Sequence, residues 1–321
     1  MDEIILSLAA PRGGYFFRGD ALAAGFDDRF LRTAMRAGLL RRIRHGTYVP
    51  TVIIEQGTPH SNFLILAQSV LDRLGPAAVL SFDSAMYAHT GISWGLDLSR
   101  VHVTRLDGRH PRREAGVVSH IGRTTEDDVV WIDGLPVMNP SRTVIEVASS
   151  HSVEVAMVHS SLALNAGLVE IDDLYAGLTD MKHWPGMNKA RLAVEYAEPK
   201  CESVGEVRSM YHFRRHHVPL PEPQVVIFDD AGRFVARVDF DWAAYRHVGE
   251  FDGHGKYGTD ADAAARAVIK EKWREDGIRA TARGASRWGW VHLSRPSELA
   301  ARIQHDLDRS HRIFVAPTVR R

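Results

Sequence analysis

The sequence predicts an α+β protein assembled from three successive blocks. Its 321 residues are enough for two or three domains, and 45% hydrophobic with 25% charged residues is the composition of an ordinary globular protein. Two patterns carry the prediction: two short helices followed by two strands near the N-terminus, and a helix, three strands, a helix and a strand in the last third. The formal net charge is zero, so any affinity for nucleic acid must come from local patches.

Cysteine usage and the N-terminus indicate where the protein works. Cys201 is the only cysteine, which excludes an internal disulfide framework and a cysteine-based zinc finger and suits a reducing compartment. The N-terminal stretch "MDEIILSLAAPRGG" has acids where a signal peptide needs basic residues, and its apolar run is short. Because no run approaches 18 apolar residues, we expect a cytoplasmic protein without membrane contact.

The first block, residues 1–52, has the pattern of two helices joined by a turn. "RGDALAAGF" predicts a short helix that ends at Gly25, and Asp27 or Asp28 can cap a second helix, "DRFLRTAMRA", that ends at Gly38. The apolar spacing of the second helix predicts its buried face: Phe30, Leu31, Ala34 and Met35.

Arginines dominate the rest of this block. Arg29, Arg32 and Arg36 fall at i, i+3 and i+7 and share the opposite stripe of the second helix. The following "LLRRIRHGTYVP" predicts a strand, a turn and a strand, and carries Arg41, Arg42 and Arg44. Residues 29–49 contain six arginines and no acid, the layout of a winged helix-turn-helix that offers its second helix to a DNA groove. The alternative is a helical hairpin whose arginines form a solvated face.

The second block, residues 53–198, predicts an α/β domain without a catalytic constellation. "SNFLILAQSVLDRL" predicts an amphipathic helix, and "VHVTRL", "GVVSHIG" and "DGLPVMN" predict strands. Its dispersed histidines do not form a metal-ligand pair, so we expect structural or surface roles for them: His89, His102, His120, His151 and His159.

The third block, residues 199–309, predicts the αβββαβ order of restriction-endonuclease-like cores, and a basic tail, 310–321, follows it. "GEVRSMYHFRRHH" predicts a helix, and "VVIFD", "RFVARVDFDW" and "YRHVGEF" predict three strands of an antiparallel sheet. A long helix in "DADAAARAVIKEKWREDGI", a strand in "RWGWVHL" and a closing helix from "RPSELAARI" complete the order.

Acidic residues on the second and third of these strands predict a metal site. Asp239 alternates with apolar Val238 and Phe240, and Glu250 and Asp252 share one face of the third strand. Asp239 and Glu250 can therefore meet across the hairpin. Such oxygen ligands suit Mg²⁺ or Mn²⁺. The predicted ligand set is Glu206, Asp239, Glu250 and Asp252.

A cation at this place would polarise a phosphate and lower the pKa of an attacking water. Lys256 and His254 are the nearest residues for positioning that water, with Lys270 and Lys272 as alternatives on the following helix. The simpler interpretation is a turn at Asp252 together with surface acids or a structural salt-bridge network.

Two family resemblances add to these expectations. "GGYFFRGDALAAGFDDRFLRTAMRAGLLRRIRHGTYVP" resembles the winged-helix N-terminus of the AbiEi family of antitoxins, from abortive-infection toxin–antitoxin systems. The second block, with "SFDSAMYAHTGI" and "LPVMNPSRTVIEVA", resembles the region that follows this winged helix in many actinobacterial members. The third block, with "VDFDW", "GEFDGHGKYG" and "EKWRED", resembles the Vsr-like branch of the PD-(D/E)XK nuclease superfamily.

The second resemblance implies roles for individual residues. Asp239 matches the metal-binding aspartate of the superfamily, Glu250 the acidic residue of its D/E-x-K motif, and Glu206 the acid on the first core helix. Asp252 stands where the motif has lysine, and since this lysine migrates within the superfamily, Lys256 or Lys272 could substitute.

The main functional expectation is a DNA-binding protein with a metal-dependent DNA endonuclease domain, acting in phage defence. Its catalytic residues would be Asp239, Glu250 and Lys256. The alternative is a type IV toxin–antitoxin antitoxin and transcriptional autorepressor whose nuclease fold is inactive. The expected partners are double-stranded DNA, a cognate toxin and a second copy of the chain.

Overall fold

The computed structural model describes residues 2–108, 114–122, 124–253, 277 and 280–316. The chain divides into two compact units, Met1–Ser150 and His151–Arg321. Each unit combines helices with a β-sheet, so the α+β class is confirmed. Among the described residues, no helix has the length and apolarity needed to cross a bilayer.

The first unit begins with three helices and a small antiparallel sheet. The helices are α1 (Asp2–Ala9), α2 (Arg18–Ala23) and α3 (Asp28–Arg36). The strands β1 (Phe16–Phe17), β2 (Leu40–Arg44) and β3 (Thr47–Pro50) lie in the order β1-β3-β2. Asp27 caps α3 by accepting a hydrogen bond from the Phe30 amide at 2.8 Å. Leu31 and Ala34 are buried against α1 and the strands, as the apolar spacing predicts.

The remainder of the first unit is a five-stranded mixed sheet with helices. The helices are α4 (Thr51–Gln56), α5 (Pro59–Leu74), α6 (Phe82–Thr90) and α7 (Pro140–Ser150). The strands are β4 (Ala78–Leu80), β5 (Val101–Arg105), β6 (Val117–His120), β7 (Val129–Ile132) and β8 (Leu135–Met138). Their order is β6-β5-β4-β8-β7, with β5–β6 and β4–β8 parallel. The three strands predicted here are present as β5, β6 and β8.

The second unit opens with four helices: α8 (Val153–Asn165), α9 (Ile171–Asp180), α10 (Met187–Glu195) and α11 (Val204–Arg215). The chain just before α11 is bonded to α8. The Glu198 amide donates to Ser161 at 2.9 Å, and Asn165 donates to the Pro199 carbonyl at 2.8 Å. The predicted domain boundary at 198/199 therefore falls in a segment fixed to α8, and the three-domain division stays a prediction.

A four-stranded sheet follows, in the order β12-β11-β10-β9. Its strands are β9 (Glu222–Phe228), β10 (Phe234–Trp242), β11 (His247–Asp252) and β12 (Gly284–Gly289). β9, β10 and β11 are antiparallel, and β12 is parallel to β11. The chain continues through α12 (Trp290–Leu293), α13 (Pro296–Ser310) and a π-helical turn (His311–Val315).

The strand predicted over "RWGWVHL" lies further toward the N-terminus than expected, at Gly284–Gly289. β12 ends at Gly289, and a helical turn begins at Trp290, because the Gly289 amide is capped by Nδ1 of His292 at 3.1 Å. Trp288 is buried whereas Val291 is exposed, so the apolar run serves two elements. Most of the long helix predicted before β12 lies outside the described residues.

Candidate nucleic-acid interface and carboxylate row

One side of α3 is a stripe of exposed arginines. Arg29, Arg32 and Arg36 are all exposed, opposite the buried Leu31 and Ala34. Within the described part of the chain, none of the three arginines has a hydrogen bond or ion pair to another side chain. Their guanidinium groups therefore remain available to an anionic partner.

The start of α3 adds an ordered ion pair to this surface. Arg18 contacts both carboxylate oxygens of Asp28 at 2.7 Å. Hydrogen bonding from Arg18 lowers the pKa of Asp28 below its ordinary value. Asp28 therefore stays ionised, with Arg18 as its hydrogen-bonded partner and Arg32 of the stripe as a further nearby positive charge.

The three arginines of β2 have different environments. Arg41 pairs with Glu55 at 3.1 Å, and both side chains are more than half exposed. Arg42 is exposed. Arg44 pairs with Glu114 at 2.7 Å and is only 10% exposed. Of the six arginines that the sequence assigns to DNA, Arg44 is thus the one enclosed by protein.

In the second unit, Asp239 and Glu250 lie on neighbouring strands. The register pairs Phe240 with Gly249, so one further step places Asp239 opposite Glu250 with both side chains on one face. The Phe251 amide also donates a hydrogen bond to Oδ2 of Asp239 at 2.8 Å. The structure therefore brings together two of the residues that the sequence assigns to a metal site.

This pair belongs to a polar row that crosses all four strands, here called the carboxylate row: Gln224, Asp239, Glu250 and Arg287. Arg287 is the β12 partner of Glu250, and its Nε lies 3.1 Å from Oε2 of that carboxylate. On β9, Gln224 stands between Pro223 and Val225, which pair with Phe240 and Val238, so it lies opposite Asp239. The row carries two carboxylates, one guanidinium and one amide.

Glu206 is hydrogen-bonded to Gln224 of the carboxylate row, but its other hydrogen bonds are made at the start of α11. Its Oε1 accepts from the Ser203 hydroxyl at 2.6 Å, and its Oε2 accepts from the Glu202 amide at 3.0 Å and from Gln224 at 2.8 Å. The Glu206 amide donates back to Ser203 at 3.2 Å. These bonds satisfy groups at the helix N-terminus, which is a structural task.

Gln224 is the residue of this site that sequence reasoning misses. Its φ of 56° lies in the left-handed region, which is rare for a non-glycine residue inside a strand. Such strain persists where the surroundings fix it, and here the side-chain amide is tied to Glu206. The only sequence signal is a polar residue beside the apolar run "VVIF".

A buried thiol lies among the same carboxylates. Cys201 is fully buried, and burial followed by the charges of Glu206, Glu198 and Asp239 raises its pKa far above the ordinary value.

Packing also ties β11 to α11: a Cβ on Gly205 would fall 1.9 Å from the Phe251 ring, so only glycine fits beneath that ring.

The described residues offer an incomplete donor set for a cation. Among them, no group of three histidine, cysteine, aspartate or glutamate side chains is placed to hold a metal ion. Asp252 is exposed at the end of β11. The remaining predicted participants lie outside the described residues: His254, Lys256, Lys270 and Lys272. Asp239 and Glu250 alone would need further oxygen ligands.

Comparisons with known proteins find a family match within the first unit and a distant structural match to a longer part of the chain. Residues 3–51 match the family described as "Transcriptional regulator, AbiEi antitoxin". The crystal structure of the RV2827C protein from Mycobacterium tuberculosis matches with a TM-score of 0.41 and 14% identity, covering 70% of this chain and 87% of that one. No curated protein matches the chain. Over residues 3–51, the chain is therefore similar to transcriptional regulators of the AbiEi antitoxin type.

Proposed function

We propose that the protein is a transcriptional regulator of the antitoxin type that binds duplex DNA through a winged helix-turn-helix formed by residues 2–50. The arginine stripe of α3 is the observation that carries this proposal. It lies in the segment that matches a family of transcriptional regulators.

The order of elements supports the proposed mode of binding. α2 and α3 form the helix-turn-helix, with α3 as the second helix, and β2 and β3 form the hairpin that follows it. In this arrangement the second helix enters the major groove while arginines contact phosphates. Leu31 and Ala34 hold α3 on the core, so the stripe of Arg29, Arg32 and Arg36 faces outward.

Salt-dependent binding tests this proposal. Arg32→Ala combined with Arg36→Ala removes two phosphate contacts, which should flatten the slope of log affinity against log salt by about 1.8. Fluorescence anisotropy with labelled duplex DNA measures the slope. Arg233→Ala is the matched control, because this arginine is 81% exposed and lies in the second unit. Equal slopes for the double variant and the control would reject the DNA interface.

As an antitoxin-type regulator acting in the cytoplasm, the protein would bind its own promoter and a cognate toxin. A homodimer would protect two half-sites about 34–36 Å apart, one helical turn of DNA. Footprinting on the promoter fragment tests this directly, and a single protected half-site would contradict the dimer. Relief of a toxin's growth inhibition on co-expression tests the toxin partnership.

A metal-dependent DNA endonuclease in the second unit is a second candidate function, favoured by the facing carboxylates Asp239 and Glu250. A Mg²⁺ or Mn²⁺ ion would supply Lewis-acid polarisation of a phosphate there. Supercoiled plasmid with and without each cation tests it, using Asp239→Asn, Glu250→Gln and Lys256→Ala. The matched control is Glu222→Gln, a carboxylate 64% exposed on the edge strand of the same sheet. Cleavage that persists in all variants would reject these residues as the site.

A further inference from the structure

We infer that the hairpin turn (residues 44–47) is not a DNA contact but the joint that fixes the N-terminal helices to the five-stranded sheet. DNA phosphates are then contacted by α3 and by Arg41 and Arg42 of β2. This inference rests on the proposed DNA-binding function and narrows the surface that performs it.

The first observation is the direction of Arg44. The pairing of β2 with β3 shifts by one residue between Arg42 and Arg44, which marks a bulge. A bulge re-aims the side chain that follows it. Nη2 of Arg44 contacts Oε1 of Glu114 at 2.7 Å and the Ala115 carbonyl at 3.4 Å, both next to β6.

The turn itself is held from two sides. Nη1 of Arg73, in the last turn of α5, donates to the His45 carbonyl at 3.1 Å, and its Nε lies 3.8 Å from Glu114. The Arg18 amide donates to the Gly46 carbonyl at 2.9 Å. The side chain of Arg44 and the carbonyls of His45 and Gly46 are therefore engaged within the protein.

A second joint lies beside the first on α5. Asp72, the neighbour of Arg73, accepts a hydrogen bond from the Tyr15 hydroxyl at 2.6 Å and from Arg12 at 3.1 Å. Arg12 also pairs with Asp20 of α2 at 2.8 Å. The end of α5 thus contacts two segments. Asp72 binds the segment before β1, and Arg73 binds the hairpin turn. These two contacts hold the hairpin and the segment before β1 in place relative to α5.

The arginines of α3 and β2 other than Arg44 form the DNA-facing set. Arg42 is exposed, and Arg41 is bound only by a surface ion pair with Glu55, which a phosphate can replace at little cost. With the α3 stripe, the phosphate-binding set is Arg29, Arg32, Arg36, Arg41 and Arg42.

The test compares full-length variants by two measurements, the salt slope for random-sequence duplex DNA and the thermal midpoint. Arg42→Ala should flatten the slope by about 0.9 and leave the midpoint unchanged. Arg44→Ala and the conservative Glu114→Gln should keep the slope and lower the midpoint. The exchange Arg44→Glu with Glu114→Arg should recover the midpoint that Arg44→Glu alone loses, since it rebuilds the pair with reversed charges.

A flattening by Arg44→Ala equal to that of Arg42→Ala, with an unchanged midpoint, would overturn the inference. So would failure of the charge exchange to recover any stability. The outcome is distinct from failure of the proposed function, because a full salt slope in the Arg32→Ala, Arg36→Ala protein would reject DNA binding by α3 itself.

Discussion

Nε2 of His247 lies 2.9 Å from the hydroxyl oxygen of Ser286, and this contact fixes the tautomer of a buried ring. Ser286 donates its only hydroxyl proton to Asp306 at 2.7 Å, so it must accept from His247. Nδ1 is then the acceptor, and the Ser310 hydroxyl donates to it at 2.8 Å. The ring is neutral, and all four side chains are hydrogen-bonded.

This arrangement predicts that the protein loses stability in mild acid. Burial lowers the pKa of His247 from 6.5 to about 4. Between these values the unfolded chain binds a proton that the native protein does not, so stability is complete above the unfolded pKa and is lost as pH falls. We expect His247 to reduce the free energy of unfolding by about 2 kcal/mol between pH 7 and pH 5.

Urea denaturation at both pH values measures this loss. His247→Gln should be less stable at pH 7 but should show a pH difference smaller by about 2 kcal/mol. His183→Gln is the control, because His183 is exposed. The same pH difference in His247→Gln as in the parent protein would contradict the assignment.

Cation binding at the carboxylate row predicts a stability change that requires both acids. A ligand that binds only the native state raises its stability. We expect excess Mn²⁺ to raise the thermal midpoint of the parent protein relative to chelator, but not that of Asp239→Asn or Glu250→Gln. Equal changes of the thermal midpoint with Mn²⁺ in all three proteins would reject the metal site, and with it the nuclease candidate.

The backbone of Gln224 predicts an inverted ranking of two small substitutions. Gln224→Ala and Gln224→Gly both lose the hydrogen bond to Glu206, which should cost about 2 kcal/mol because the acceptor is charged. At φ 56° only glycine is free of steric strain, so Gln224→Gly should be more stable than Gln224→Ala by about 1 kcal/mol. Inside a regular strand alanine would be favoured, and that ranking in urea denaturation would contradict the strain.

The contacts of α8 predict where the chain can be divided. Glu154 on α8 binds Arg208 at 2.7 Å and lies 3.2 Å from Nε2 of His212, both on α11. A fragment of residues 151–321 should therefore unfold cooperatively, whereas a fragment of residues 197–321 should be less stable because it lacks α8. Thermal unfolding followed by near-ultraviolet circular dichroism compares them, and equal midpoints would restore a boundary near residue 198.

Local patterns in the sequence were sufficient to predict α3 and the facing positions of Asp239 and Glu250. The cap at Asp27, the buried Leu31 and Ala34, and the arginine stripe all follow from helical spacing within one short segment. Likewise, period-2 alternation on two strands of one hairpin places Asp239 and Glu250 on the same face. Such features depend on residues close along the chain.

Features that depend on distant residues could not be predicted. Glu114, 70 residues from Arg44, removes that arginine from the exposed surface, and a bulge that no local pattern encodes directs it there. Glu206 fits the acidic position of a nuclease helix in sequence, yet its oxygens are engaged by Ser203, Glu202 and Gln224. β4 has only three residues, which is too few for a period to be recognised.

The single thiol of this chain has a practical consequence. Because Cys201 is enclosed and stays protonated, it should resist oxidation and alkylation while the second unit remains folded. A cysteine introduced on the exposed side of α3 could therefore be labelled selectively with a fluorophore, without first removing the native residue. Conversely, slow reaction of Cys201 with a maleimide would time the opening of the segment that joins α10 to α11, reporting transient local unfolding at one defined position.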